Sequence, residues 1–126
     1  MKKEETPEPE ITPMARQIYR HLVKTIRRGT ASITYGELAE AISEKTPVHR
    51  RSPKLHEALT EVTIACRARE LPAVTAIVWK SGAHRPSDGY YEIAHPRARS
   101  WSGQLEAWRE EHARVIREAQ DLPASL

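Results

Sequence analysis

The stretch Ile33-Thr34-Tyr35-Gly36-Glu37-Leu38-Ala39 joins two local signals in seven residues. Ser32-Ile33-Thr34 reads as a short β-favouring segment, because the branched β-carbons of Ile33 and Thr34 restrict the side-chain rotamers available in a helix. Thr34-Tyr35-Gly36-Glu37 then matches a capping box. The threonine hydroxyl accepts from the third helical amide, and the glutamate carboxylate reaches back to the cap amide. Leu38, Ala39 and Ile42 follow on one apolar face. A short strand therefore runs straight into a short helix that begins at Tyr35.

Upstream, Thr12 caps and Pro13 suits the first position of a helix whose apolar residues Met14, Ile18, Leu22 and Ile26 recur every four residues. Tyr19 and Val23 widen that stripe. The helix ends near Gly29, behind Arg27 and Arg28, which suit the negative end of its dipole. Downstream, residues 43–51 have no period and read as a basic loop. Ser52-Pro53 restarts a helix with Leu55, Leu59, Val62 and Cys66 along one side, and Leu71-Pro72 stops it. The branched run Ala73 to Trp79 predicts a strand, Ser81 to Gly89 a turn, and Tyr90-Tyr91-Glu92-Ile93 the returning strand of a hairpin. Alternation along that strand puts one tyrosine inside and the other outside. After His95-Pro96, a last helix carries Trp101, Leu105, Trp108, Val115 and Ile116 on one face. Three helices and a hairpin make an α+β, winged helix-turn-helix order with an extra C-terminal helix. Residues 11–120 form one domain, behind a disordered leader (1–10) and before a short tail (121–126).

With Leu-Pro and a strand behind the following helix, Ile33 to Ala39 resembles the C-terminal domain of the methylguanine-DNA methyltransferases and their non-catalytic relatives, the alkyltransferase-like proteins. The likeness in layout spans about residues 12–94, and Tyr-Gly-Glu-Leu-Ala is its specific part. The resemblance implies a winged helix whose third helix enters the DNA minor groove, with Tyr35 at the place of a tyrosine that helps rotate a nucleotide out of the stack. The reactive cysteine of that family lies in Pro-Cys-His-Arg after the strand. This chain has Val78-Trp79-Lys80-Ser81 there, so the resemblance does not extend to alkyl transfer. A tryptophan in the cysteine's place resembles the alkyltransferase-like branch. The arginine that fills the gap left by the rotated base has no counterpart here.

Charge points toward an anionic partner. From Lys45 to Ser100 the chain holds ten Lys or Arg against five Asp or Glu, an excess of five, while the whole chain is only +3. His49, Arg50, Arg51 and Lys54 lie at the start of the third helix, where free amides and the dipole also favour phosphate. His56, Thr60 and Arg67 follow on that helix, and Lys80, His84 and Arg85 lie in the hairpin turn. With Thr34 and Tyr35 these are the candidate nucleic-acid contacts, and duplex DNA is the expected partner. The alternative is a protein-interaction adaptor, or a homodimer, using the tryptophan-bearing last helix.

The residues that chemistry would need are missing. The one cysteine, Cys66, sits on the apolar stripe of the third helix, where a thiol is packing rather than nucleophile. The six histidines show no metal-ligand spacing. No metal, cofactor or catalytic residue is expected, and the protein reads as a binder rather than an enzyme. A single cysteine, a charged leader without an apolar core and the lack of a long apolar run predict a soluble cytoplasmic protein without membrane attachment.

Overall fold

The computed structural model describes residues 11–43, 48, 49 and 51–126. The leader, residues 44–47 and Arg50 lie outside the described residues. The chain is an α+β fold: α1 (Pro13–Arg27), β1 (Ile33–Thr34), α2 (Tyr35–Ile42), α3 (Pro53–Ala68), a 3₁₀ turn (Val74–Ile77), β2 (Val78–Trp79), α4 (Asp88–Ala94), α5 (Trp101–Arg117) and a second 3₁₀ turn (Ala119–Asp121).

α1 is the central element. Ala15, Ile18, Tyr19, Leu22 and Val23 are almost wholly enclosed, chiefly against α3. Thr12 starts it as expected, accepting from the Ala15 amide. Glu61 of α3 adds a second lock, accepting from the Thr12 amide at 2.9 Å and from its hydroxyl at 3.2 Å. One carboxylate thus caps a helix from across the core, satisfying an amide at the capping residue. The final residues return to the same helix. The Tyr19 hydroxyl donates to the Pro123 carbonyl at 2.7 Å, Arg27 donates to the Leu122 carbonyl, and Leu122 is buried.

The capping box at Thr34 forms as read. The Glu37 amide donates to the Thr34 hydroxyl oxygen at 3.1 Å, and the Thr34 amide donates to the Glu37 carboxylate at 2.9 Å. α3 begins at Pro53 behind the Ser52 cap and buries Leu55, Leu59, Val62 and Cys66. Gly29, at φ +91°, ends α1 in the left-handed region that suits glycine.

Residues 73–94 depart from the sequence reading. β2 pairs in parallel with β1, Ile33 opposite Val78 and Thr34 opposite Trp79. β1 offers only two residues, so Val74–Ile77 has no strand to pair with and winds into a buried 3₁₀ turn instead. The expected returning strand is the helix α4, and the hairpin does not form. Both Tyr90 and Tyr91 are buried, with rings 5.3 Å apart at 82°. Consecutive residues on a helix are about 100° apart and can share one broad inner face, whereas strand alternation would have sent one outward. α5 starts at its Ser100 cap and buries Trp108 and Val115, but Trp101 and Ile116 stay exposed. Among the described residues no helix is long and apolar enough to cross a membrane.

Candidate nucleic-acid interface

Tyr35 links three segments that are far apart in sequence. It is the first residue of α2, so the capping box fixes the direction in which its ring leaves the backbone. That ring lies 5.3 Å from His56 of α3, tilted by 34°. The Tyr35 hydroxyl oxygen accepts from the Ser87 amide at 3.1 Å and lies 2.8 Å from the Ser87 hydroxyl. The start of α2, the first half of α3 and the end of the 80–87 loop therefore meet at one side chain.

Behind this junction a cleft enclosing about 420 Å³, mouth included, opens among Tyr35, His56, Thr60, Ser87, Gly89 and Tyr90. Its inner wall includes Thr63 and Thr75, whose buried hydroxyls are 2.6 Å apart. Thr63 also lies 3.0 Å from the Leu59 carbonyl. If Thr63 donates to that carbonyl, Thr75 must donate to Thr63, because each hydroxyl has one proton. Gly89 leaves its side of the cleft open, since a β-carbon there would meet nothing within 4 Å.

The other candidates fall into separate groups. His49, Arg51 and Lys54 are exposed at the start of α3, where the His49 Nδ1 accepts from the Arg51 amide at 3.1 Å. The Arg51 and Lys54 side chains make no hydrogen bond or ion pair among the described residues. Lys80 and His84 are exposed on a tight turn closed by the Lys80 amide donating to the Arg85 carbonyl at 2.8 Å. His84 takes φ +56°, an uncommon conformation outside glycine. Thr34 spends its hydroxyl oxygen on the cap. Arg67 donates to the Ile93 carbonyl and so ties α3 to α4. Arg85 is half-buried, its guanidinium 4.9 Å above the Trp101 ring.

Tyr35, His56 and Thr60 are thus brought together, whereas Arg67 and Arg85 are engaged elsewhere. Arg50 lies outside the described residues. Sequence reasoning missed Ser87, Thr75 and Tyr90 at the cleft. The legible signal was Ser87-Asp88-Gly89 as a helix start, with an acid in the first turn, where turn chemistry was read instead.

Burial sets the chemistry of the one thiol. Desolvation, the largest cause, pushes the Cys66 thiol up to about 11, and the nearby Glu111 carboxylate acts in the same direction. At neutral pH it is a protonated, enclosed group, and the thiolate needed for nucleophilic attack is suppressed. Among the described residues no three His, Cys, Asp or Glu side chains stand together as a metal set. Comparison with protein-family models, with curated proteins and with solved structures found no match for this chain.

Proposed function

We propose that this protein binds duplex DNA without performing chemistry on it, as a regulator or accessory factor in cytoplasmic DNA metabolism or defence. The observation that carries the reading is the junction at Tyr35. It fastens the start of α2, the exposed basic start of α3 and the Lys80–Ser87 loop to one another. Docking is of the winged-helix kind in its helical part, with α3 presented to the groove and the 80–87 loop in the wing's role. Arg51, Lys54 and Lys80 hold phosphates, joined by the neighbouring Arg50, with His49 and His84 beside them. The Arg51, Lys54 and Lys80 side chains are exposed and unpaired among the described residues, so binding does not first have to break an internal ion pair. Tyr35, His56 and Thr60 face the DNA from the cleft. The suppressed thiolate of Cys66 supports a binder rather than an alkyl acceptor.

Fluorescence anisotropy with a labelled duplex tests this reading. Affinity should fall steeply between about 50 and 200 mM salt, each phosphate contact adding roughly −0.9 to the slope of log K against log salt. Replacing Arg51, Lys54 and Lys80 together with alanine should flatten that slope by about 2.7. Sequence preference should change little, because phosphate contacts carry no sequence information. No measurable binding at about 50 mM salt would overturn the reading in favour of a protein-interaction adaptor.

A further inference from the structure

A second surface lies at the beginning of α5, apart from the cleft. Trp101 is 46% exposed, an unusual state for the largest side chain in a protein that buries Trp108 on the same helix. The ring is nonetheless held in place. The Arg85 guanidinium sits 4.9 Å above its centroid, and the Tyr91 ring meets it at 5.3 Å and 81°. The Ser100 cap fixes the backbone beneath it, its side chain accepting from the Gly103 amide at 3.0 Å. Arg97 and Arg99, two and four residues before Trp101, are exposed and make no side-chain hydrogen bond or ion pair among the described residues.

We infer that Trp101 is a stacking platform for an unpaired nucleobase, with Arg97 and Arg99 holding the flanking phosphates of a single strand. A pre-oriented flat ring bordered by cations is what single-strand recognition uses: aromatic faces take bases, and cations follow the backbone. Arg85 over the ring, with Arg97 and Arg99 on the chain just before it, gives the platform a cationic border that complements an anion. The apolar face does not continue as a protein interface would require. Ser102 and Gln104 adjoin the ring in sequence, and the other large exposed apolar residue of α5, Ile116, stands 15 positions on, roughly 22 Å away along the axis. The inference rests on the nucleic-acid reading above for its class of partner, but on different residues.

Titration of the full chain with oligothymidylate, followed by tryptophan fluorescence, tests it. Trp101 is the only exposed tryptophan, so stacking should quench the solvent-exposed component of the emission. Trp101→Ala should weaken oligothymidylate binding about tenfold, within the range for stacking one base, while Trp101→Phe restores most of the loss. Arg97→Ala with Arg99→Ala should flatten the single-strand salt slope by about 1.4, at roughly 0.7 per phosphate. Duplex affinity should stay unchanged in all three variants. An absence of quenching, equal loss of duplex and single-strand binding in Trp101→Ala, or a change of sedimentation state in that variant would overturn the inference. The last result would assign the surface to contact between copies. Duplex binding without oligothymidylate binding sinks this inference alone, whereas the converse sinks the duplex reading alone.

Discussion

Trp101 and Trp108 are seven residues apart on α5, so the helical period aims their side chains to within about 20° of each other. Their fates differ completely. Trp108 is 7% exposed; its indole N–H donates to the Ala76 carbonyl at 2.9 Å, and its ring packs 5.8 Å from Trp79 and 5.7 Å from His112. Trp101 meets one tyrosine edge and one guanidinium and leaves much of its surface to water. The difference lies in what stands opposite. The buried 3₁₀ turn Val74–Ile77 supports α5 at Trp108, while Trp101, two turns earlier, rests on the edge of α4. A shared helix face gives a direction, and only the element across from it decides between core and surface.

The largest test of this comparison is truncation. Trp108→Ala should destabilise the fold by about 3–5 kcal/mol, measured by urea unfolding, because it empties a packed site. Trp101→Ala should fall within about 0.5 kcal/mol of the parent. Equal losses for the two variants would break the distinction drawn here.

Next in size is the shared acceptor. The Ala76 carbonyl accepts from the Trp79 indole at 3.0 Å as well as from Trp108. Trp79→Phe should cost about 1 kcal/mol, since one donor remains. Combining it with Trp108→Phe leaves the buried carbonyl with neither indole, so the double loss should exceed the sum of the singles by at least about 0.5 kcal/mol. Strict additivity in that cycle would show that the two indoles do not compete for a common role.

The smallest effect concerns pH. His95, at the Trp101 end of the molecule, lies 2.9 Å from the Tyr90 hydroxyl through its Nε2, and burial lowers its pKa below 6.5. His21 on α1 is lowered in the same way, by burial first and then by Arg28 and Lys24. A histidine with a depressed folded pKa binds fewer protons folded than unfolded. Its contribution is therefore fully present above 6.5 and is lost as the pH falls through the folded value. Tm should drop between about pH 7.5 and 5.5, and His95→Gln should shrink that drop. A Tm that rises on acidification would contradict the direction given for both residues.

The three helices between Thr12 and Pro72 were legible because their signals are local. A cap, a proline and a four-residue apolar spacing each act within a turn or two, and they placed the starts of α1, α2 and α3 and the burial of Cys66. Residues 73–94 were misread for a non-local reason. Whether Val74–Ile77 extends depends on a partner strand, and β1 supplies two residues. Tyr90-Tyr91-Glu92-Ile93 has strand composition, but Ser87-Asp88-Gly89 starts a helix in front of it. For the site, Tyr35, His56 and Thr60 were named from charge, motif and helix position. Ser87 escaped because its role exists only through Tyr35, 52 residues earlier. Arg67 and Arg85 were named for their charge, and sequence displays a charge without displaying the carbonyl or the ring that each guanidinium meets.

The two-residue sheet has a consequence for the order in which this chain folds. Pairing Ile33 with Val78 closes a loop of 45 residues, an entropic cost of roughly 3 kcal/mol before any constant is added. So short a ladder returns few hydrogen bonds against that cost. β1 and β2 are therefore expected to join after α1 and α3 have docked. Kinetically, Ile33→Val should speed unfolding and leave the refolding rate almost untouched, whereas Leu22→Ala in α1 should slow refolding. On that expectation the parallel pair is a late gauge of registration, recording that the helices have assembled correctly and supplying little of the drive that assembles them.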